Sequence, residues 1–254
     1  MLKNLIDFVS GKSGSNEITL DCYTDRPDVF YNSKIEPTSR KIPSWFKSIP
    51  VDFGLNEDLT TTSSIRRCSG VNSLFTSGYV ISMWSDLRVE LGEIGSKDYR
   101  WQYADKKSDA GEHPVIQRGN YAPPEQYQHL KLESPWHFHC SHDIPWVWLQ
   151  NNWLSDIPDE YLIPPSIVEY HYQSTTNVNI LFARSNDKKL IDIKLGAPLV
   201  QIVPMTDKKV TVNHHLVSTE ELNALNAKNG SSMLSFVNSY QKTKKIKKCP
   251  FSGN

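Results

Sequence analysis

Leu87, Val89 and Leu91 alternate with Arg88, Glu90 and Gly92 in LRVELGEI, the clearest period-two pattern in the chain. It predicts a half-buried strand. In YRWQYA, residues 99–104, Tyr99, Trp101 and Tyr103 share one face, so the two runs are expected to pair as a hairpin across 95–98. EITLDCY at 17–23 alternates in part, and TDRPD then turns the chain. Further strands are expected at 79–84, 136–141, 146–149, 166–172, 177–183, 190–194 and 199–203. Pro135 and Pro145 should bound two of these rather than sit inside them. The polar runs 60–64 and 105–129 read as loops. Residues 37–50, with three prolines around Trp45 and Phe46, read as irregular chain.

Helical signals are fewer. Thr219–Asn229 is the best of them, with Ser218 as its cap and Glu221 completing a capping box. Val71–Phe75 suits one turn, ended by Gly78, and 232–240 is a weaker stretch. Leu2, Leu5, Ile6 and Val9 fall at helical spacing, which fits a cap on the core, a membrane-surface helix or a partner helix. No long helical pattern separates the strands, so a βαβ series is not expected. The expected class is all-β, a jelly-roll or cupin-like sandwich or barrel with a short C-terminal helical segment. The expected division is an N-terminal segment 1–40, a β-rich core 41–215, and a helical segment with a basic tail at 216–254.

Composition narrows the function classes. Lysine plus arginine and aspartate plus glutamate number 28 each, so no whole-chain field draws the protein to nucleic acid. Near-zero net charge is compatible with homo-oligomers. No apolar run is long enough to span a membrane, and Asn4 and Asp7 interrupt what would be a signal-peptide core. The four cysteines, Cys22, Cys68, Cys140 and Cys249, form no close pair, so free thiols are expected. Five lysines within 242–248 suit a solvated terminus or a basic arm. Walker, Rossmann, HExxH and GxSxG signatures are absent.

Chemistry concentrates in WHFHCSHDIPWVW, residues 136–148. On a strand, His137 and His139 share one face, while Trp136, Phe138 and Cys140 share the other. Two imidazoles on one face can converge on an ion, and Asp143 follows four residues after His139. The alternative is that these histidines are packed or surface groups. Cys140 and His142 could form a pair, although a buried thiol is the simpler reading. Trp136, Trp146 and Trp148 suit either a stacking platform for sugars or a packed core. Arg66 and Arg67 could hold an anion or pair with Glu57 or Asp58.

The spacing H-x-H-x-x-x-D resembles the first metal motif of the cupin family, with His137, His139 and Asp143 as metal ligands and aspartate in place of glutamate. Lys131 stands where that family has glycine, and His171, His214 and His215 lack the neighbourhood of its later histidine. The resemblance implies Fe or another divalent transition metal and dioxygenase-type chemistry on a small molecule. A second resemblance spans most of 40–205. KIPSWFKSIP, IRRCSGVNSLFTSGYVISMWSD, SPWHF and GAPLVQIVP are similar to an uncharacterised protein family of tailed bacteriophages of marine bacteria. It implies a viral protein located in the virion or the host cytoplasm. The leading expectation is therefore a non-enzymatic structural or host-interaction protein with viral or host protein partners. A cupin-like enzyme and a carbohydrate-binding module are the alternatives.

Overall fold

The computed structural model describes residues 17–55, 61–112, 121–155 and 160–228, with single positions at 116 and 119. The chain is mostly β. The largest sheet contains β1 (Ile18–Thr24), β8 (Ala110–Glu112), β9 (Tyr127–Cys140), β11 (Tyr161–Leu162), β13 (Thr175–Ala183) and β16 (Val210–Leu216). Its order is β11-β13-β9-β1-β16, with β8 paired to β9. A five-stranded sheet runs β12 (Ser166–Val168), β10 (Trp146–Leu149), β15 (Pro198–Pro204), β5 (Tyr79–Ser82), β2 (Glu36–Pro37). A three-stranded sheet joins β14 (Lys189–Ile193), β6 (Leu87–Leu91) and β7 (Tyr99–Tyr103). β3 (Asp52–Leu55) and β4 (Thr61–Ser63) form a separate hairpin.

One core cluster draws buried side chains from the three larger sheets. β9 contributes Leu130, Leu132, Trp136, Phe138 and Cys140, and β1 contributes Ile18, Leu20 and Cys22. Facing positions on the five-stranded sheet supply Trp146, Trp148, Val200 and Ile202. Buried indole N–H groups need acceptors. Trp136 donates to the Ser33 carbonyl at 2.8 Å, and Trp148 donates to the Tyr170 hydroxyl at 2.6 Å. Tyr170 is fully buried and packs on Phe138 of one sheet and Trp146 of the other.

β6 and β7 pair as antiparallel neighbours, as expected. Leu87, Val89 and Leu91 lie opposite Tyr103, Trp101 and Tyr99. On the other face Arg88 pairs with Asp192, and Arg100 with Glu90. The helices are short: α1 (Pro27–Asn32), α2 (Ser44–Ser48), α3 (Ser69–Thr76) and α4 (Thr219–Lys228). At the start of α4 the Ser218 amide donates to Glu221 Oε2 at 2.9 Å, and the Glu221 amide donates to Ser218 Oγ at 3.2 Å. That is the reciprocal box the sequence predicts. α3 ends before Gly78, whose φ is +66°. A β-carbon there would lie 2.1 Å from the Ile202 carbonyl oxygen, so glycine is required on both counts.

Several expectations are corrected. Pro135 lies inside β9, which begins nine residues earlier than the expected 136. The ladder with β13 shifts register there, from His137 opposite Thr175 to Glu133 opposite Asn177. This bulge accommodates a residue that cannot donate to a ladder. The Trp136 amide turns instead to Ser134 Oγ at 3.2 Å. The strand expected at 166–172 stops at Val168, because the Glu169 carbonyl accepts from the amides of Tyr172 and Gln173 and turns the chain. Thr61–Ser63, expected as loop, pairs with β3. The stretch 37–50 contains α2 and a 3-10 turn at Thr38–Lys41. β16 carries no expectation from the sequence, yet it pairs with β1 in parallel from Ile18–Val210 to Thr24–Leu216. It is the one parallel pair among the described residues. β1, from the segment 1–40, therefore lies between β9 and β16. The helical stretches expected at 2–9 and 232–240 and the lysine run fall outside the described residues.

Candidate functional site

Alternation places the inward side chains of β1, β9 and β16 in the core and turns a polar set outward. Asp21 lies opposite His139 on β9 and Asn213 on β16. Tyr23 lies opposite His137 and His215 in the same way. The tandem histidines of β16 are thereby split. His214 turns inward, against Trp136 and the Ile35 carbonyl, while His215 turns outward with Asp21.

Asp21 anchors this face. It accepts from His215 Nε2 at 2.9 Å and from Asn213 Nδ2 at 3.1 Å. Burial pushes its carboxyl up, but the bonds from His215 and Asn213 outweigh that and hold it below the usual carboxylate range. Tyr23 stacks on the His215 ring, with centroids 4.6 Å apart and planes 18° from parallel. Burial raises the Tyr23 phenol, so it stays neutral and donor-competent.

The three metal-ligand candidates go to separate partners. His137 Nδ1 lies 3.0 Å from Asn226 Oδ1 on α4, which also accepts from Ser174 Oγ at 2.9 Å. His139 lies beside Asp21, and its ring is 6.1 Å from that of His171. His171 Nδ1 donates to the Cys140 carbonyl at 3.0 Å. Asp143 follows the end of β9, is exposed, and accepts from the Tyr172 hydroxyl at 2.7 Å. His137 and His139 thus share a face, as alternation requires, but Asp143 is not drawn into a cluster with them. Among the described residues no group of three or more histidine, cysteine, aspartate or glutamate side chains is placed to hold a metal ion.

Trp136, Trp146 and Trp148 form no stacking platform, since all three are buried in the core. Trp153 is 43% exposed and packs against Trp45. Cys140 is buried among apolar side chains, and His142 bonds to Ser141 Oγ. Arg67 pairs with Asp52, and Arg66 donates to the Ile49 carbonyl. Glu57 and Asp58 fall outside the described residues. A groove of about 560 Å³ lies at the end of the three-stranded sheet, lined in part by Glu90, Asp98, Tyr99, Arg100 and Lys188. It shares no lining residue with the histidine face.

No known family model and no curated protein matches this chain.

Asp21, Tyr23 and Asn213 carry no functional expectation from the sequence, and His215 enters it only as a histidine without the neighbourhood of the cupin family's later ligand. The alternation in EITLDCY already groups Asp21 with Tyr23. Nothing local points to the partners of Asp21, Asn213 and His215, which lie 192 and 194 residues away along the chain. His215→Phe should keep a ring against Tyr23 while removing the bond to Asp21. The Asp21 carboxyl is then expected to titrate at higher pH than in the wild type, followed by carboxyl-carbon NMR. A depressed carboxyl contributes stability above its unfolded value, lost as pH falls through the folded one. The wild type should therefore lose more stability than the variant between neutral pH and the acid range. An unchanged Asp21 titration would refute the coupling.

Proposed function

We propose that this chain is a non-enzymatic, β-rich viral protein that binds other proteins, as a virion component or a host-interaction factor. One surface feature carries the reading. On the outer face of the five-stranded sheet, Ile167 lies opposite Val147, which lies opposite Val203. Ile167 is 66% exposed, Met205 beyond Val203 is 55% exposed, and the two valines are half-buried. β12 is a sheet edge and has no charged side chain. Contiguous exposed apolar residues beside an unprotected edge favour contact with another chain. The phage resemblance supports a viral partner, and location in the virion or host cytoplasm follows from it. Among the described residues no helix is long and apolar enough to cross a membrane.

The sandwich is read as jelly-roll-like, supported by the core shared between the inner faces of the two larger sheets. The parallel β1–β16 pair is a departure from a purely antiparallel arrangement. Mass spectrometry of purified particles, with cross-linking in infected cells, tests the function. The chain in particles supports the virion form, and cross-links to host proteins support the other. Finding the chain in neither particles nor cross-links would overturn the reading. The cupin-like enzyme remains the second reading, because His137 and His139 share a face. It requires stoichiometric uptake of Fe or another divalent transition metal, lost in the His137→Ala/His139→Ala double variant.

A further inference from the structure

We propose that the groove at the end of the three-stranded sheet is a binding site for a small organic molecule that ends in a carboxylate. Arg100 and Lys188 take the anion, and Leu91, Tyr99 and Leu190 take the apolar body. The groove, of about 560 Å³, falls within the ~300–1,000 Å³ usual for small-molecule sites. It shares no residue with the apolar surface beside β12, so the inference does not rest on the protein-binding reading.

Two arginines stand on the outward face of this sheet, and they differ. Arg88 Nε and Nη2 donate to the two carboxylate oxygens of Asp192 at 2.8 and 2.9 Å, which closes that fork. Arg100 gives Nε alone, to Glu90 Oε2. Its two Nη groups make no hydrogen bond among the described residues, and its side chain is 82% exposed. Glu90 therefore orients a guanidinium whose outer edge is open. Paired N–H groups on that edge match the two oxygens of a carboxylate. Lys188, exposed just before β14, lines the same groove and has no ion pair or hydrogen bond among the described residues. Lys189 is already engaged, 3.5 Å from Glu160.

Apolar surface lies beside these open cations. Leu190 is opposite Glu90, which is opposite Arg100, and in the next row Leu91 is opposite Tyr99. Leu91 is buried, Tyr99 is half-buried against the core, and Leu190 is 53% exposed. The rim is set before any ligand arrives. The Gly92 amide donates to the Asp98 carbonyl at 2.8 Å, and Arg184 Nη1 donates to the carbonyls of both Gly92 and Asp98. A preformed site loses less on ordering. The Asp98 carboxylate is the opposing charge in the lining, so it should weaken an anion held nearby.

Titration of the full chain with 3-phenylpropionate at neutral pH, followed by amide NMR, tests the site. Saturable shifts are expected at 91–92, 98–100 and 188–190, with a dissociation constant of ~1 mM for so small a probe. Its uncharged analogue 3-phenylpropanol should bind at least about fivefold more weakly, and so should inorganic phosphate, which lacks the apolar body. Arg100→Gln should weaken 3-phenylpropionate roughly tenfold, Lys188→Gln about threefold, and Asp98→Asn should tighten it. Lys188 lies outside the strands, so its variant serves if Arg100→Gln disturbs the sheet. No saturable shift at the groove, or equal binding of the propanol or of phosphate, would overturn the proposal. So would unchanged affinity in both the Arg100 and Lys188 variants.

Discussion

Trp136→Ala is expected to lower the unfolding free energy by about 4 kcal/mol, the largest effect of any single substitution considered for this chain. The side chain is fully buried on β9, in the core cluster that joins the sheets. Its removal leaves a cavity the neighbours cannot fill without moving, because β9 is fixed on both sides by β1 and β13. It also removes the donor to the Ser33 carbonyl, 103 residues distant in sequence. Trp136→Phe separates the two contributions. It keeps much of the ring and loses the N–H, so about 1–2 kcal/mol is expected from the carbonyl and the smaller void. Urea unfolding followed by fluorescence of the remaining tryptophans measures both. A tryptophan serving a surface platform would tolerate alanine with little loss. A change under about 1 kcal/mol in Trp136→Ala would therefore contradict the core assignment.

The opposite sides of this strand differ in how well the sequence reveals them. Alternation correctly separates Trp136, Phe138 and Cys140 from His137 and His139, because side-chain direction in a strand is a local property. The β6–β7 hairpin and the Ser218–Glu221 box are legible for the same reason: each is complete within a few neighbouring residues. The partners of His137 and His139 are not local. Asp21 reaches His139 across an antiparallel pair, and it reaches His215 across a parallel pair closed by the whole intervening chain. VTVNHHL alternates too weakly to announce β16, since both Asn213 and His214 are polar and only the fold decides which faces inward. Pro135 shows the converse. A rule that bars proline from strand interiors fails where the ladder already shifts register. In SIVEYHY the alternation continues past Val168, but the backbone bonds at Glu169 make a turn that composition does not announce.

Arg184→Met is expected to cost about 3 kcal/mol, although the sequence gives that residue no distinction. Arg184 is 7% exposed and lies just beyond the end of β13. Its Nη1 donates to the Gly92 carbonyl at 3.2 Å and to the Asp98 carbonyl at 2.9 Å, and Nη2 donates to Gln128 Oε1 at 3.2 Å. One guanidinium therefore ties the loop of the β6–β7 hairpin to the start of β9. Burial lowers its pKa, with Asp98 opposing, but an arginine remains charged throughout the folding range. Methionine fills much of the space and strands the three acceptors. Lysine keeps the charge but cannot span acceptors on both sides with one ammonium, so Arg184→Lys should recover only part of the loss. Hydrogen exchange distinguishes this from a general weakening. Protection should drop first at residues 92–98 and 126–128, while β1 and β16 keep theirs until global unfolding. Equal loss everywhere would mean that Arg184 supports the core as a whole. No loss at 92–98 would mean that the hairpin is held by its own ladder and by packing of Leu91 and Tyr99, with the buried guanidinium contributing nothing.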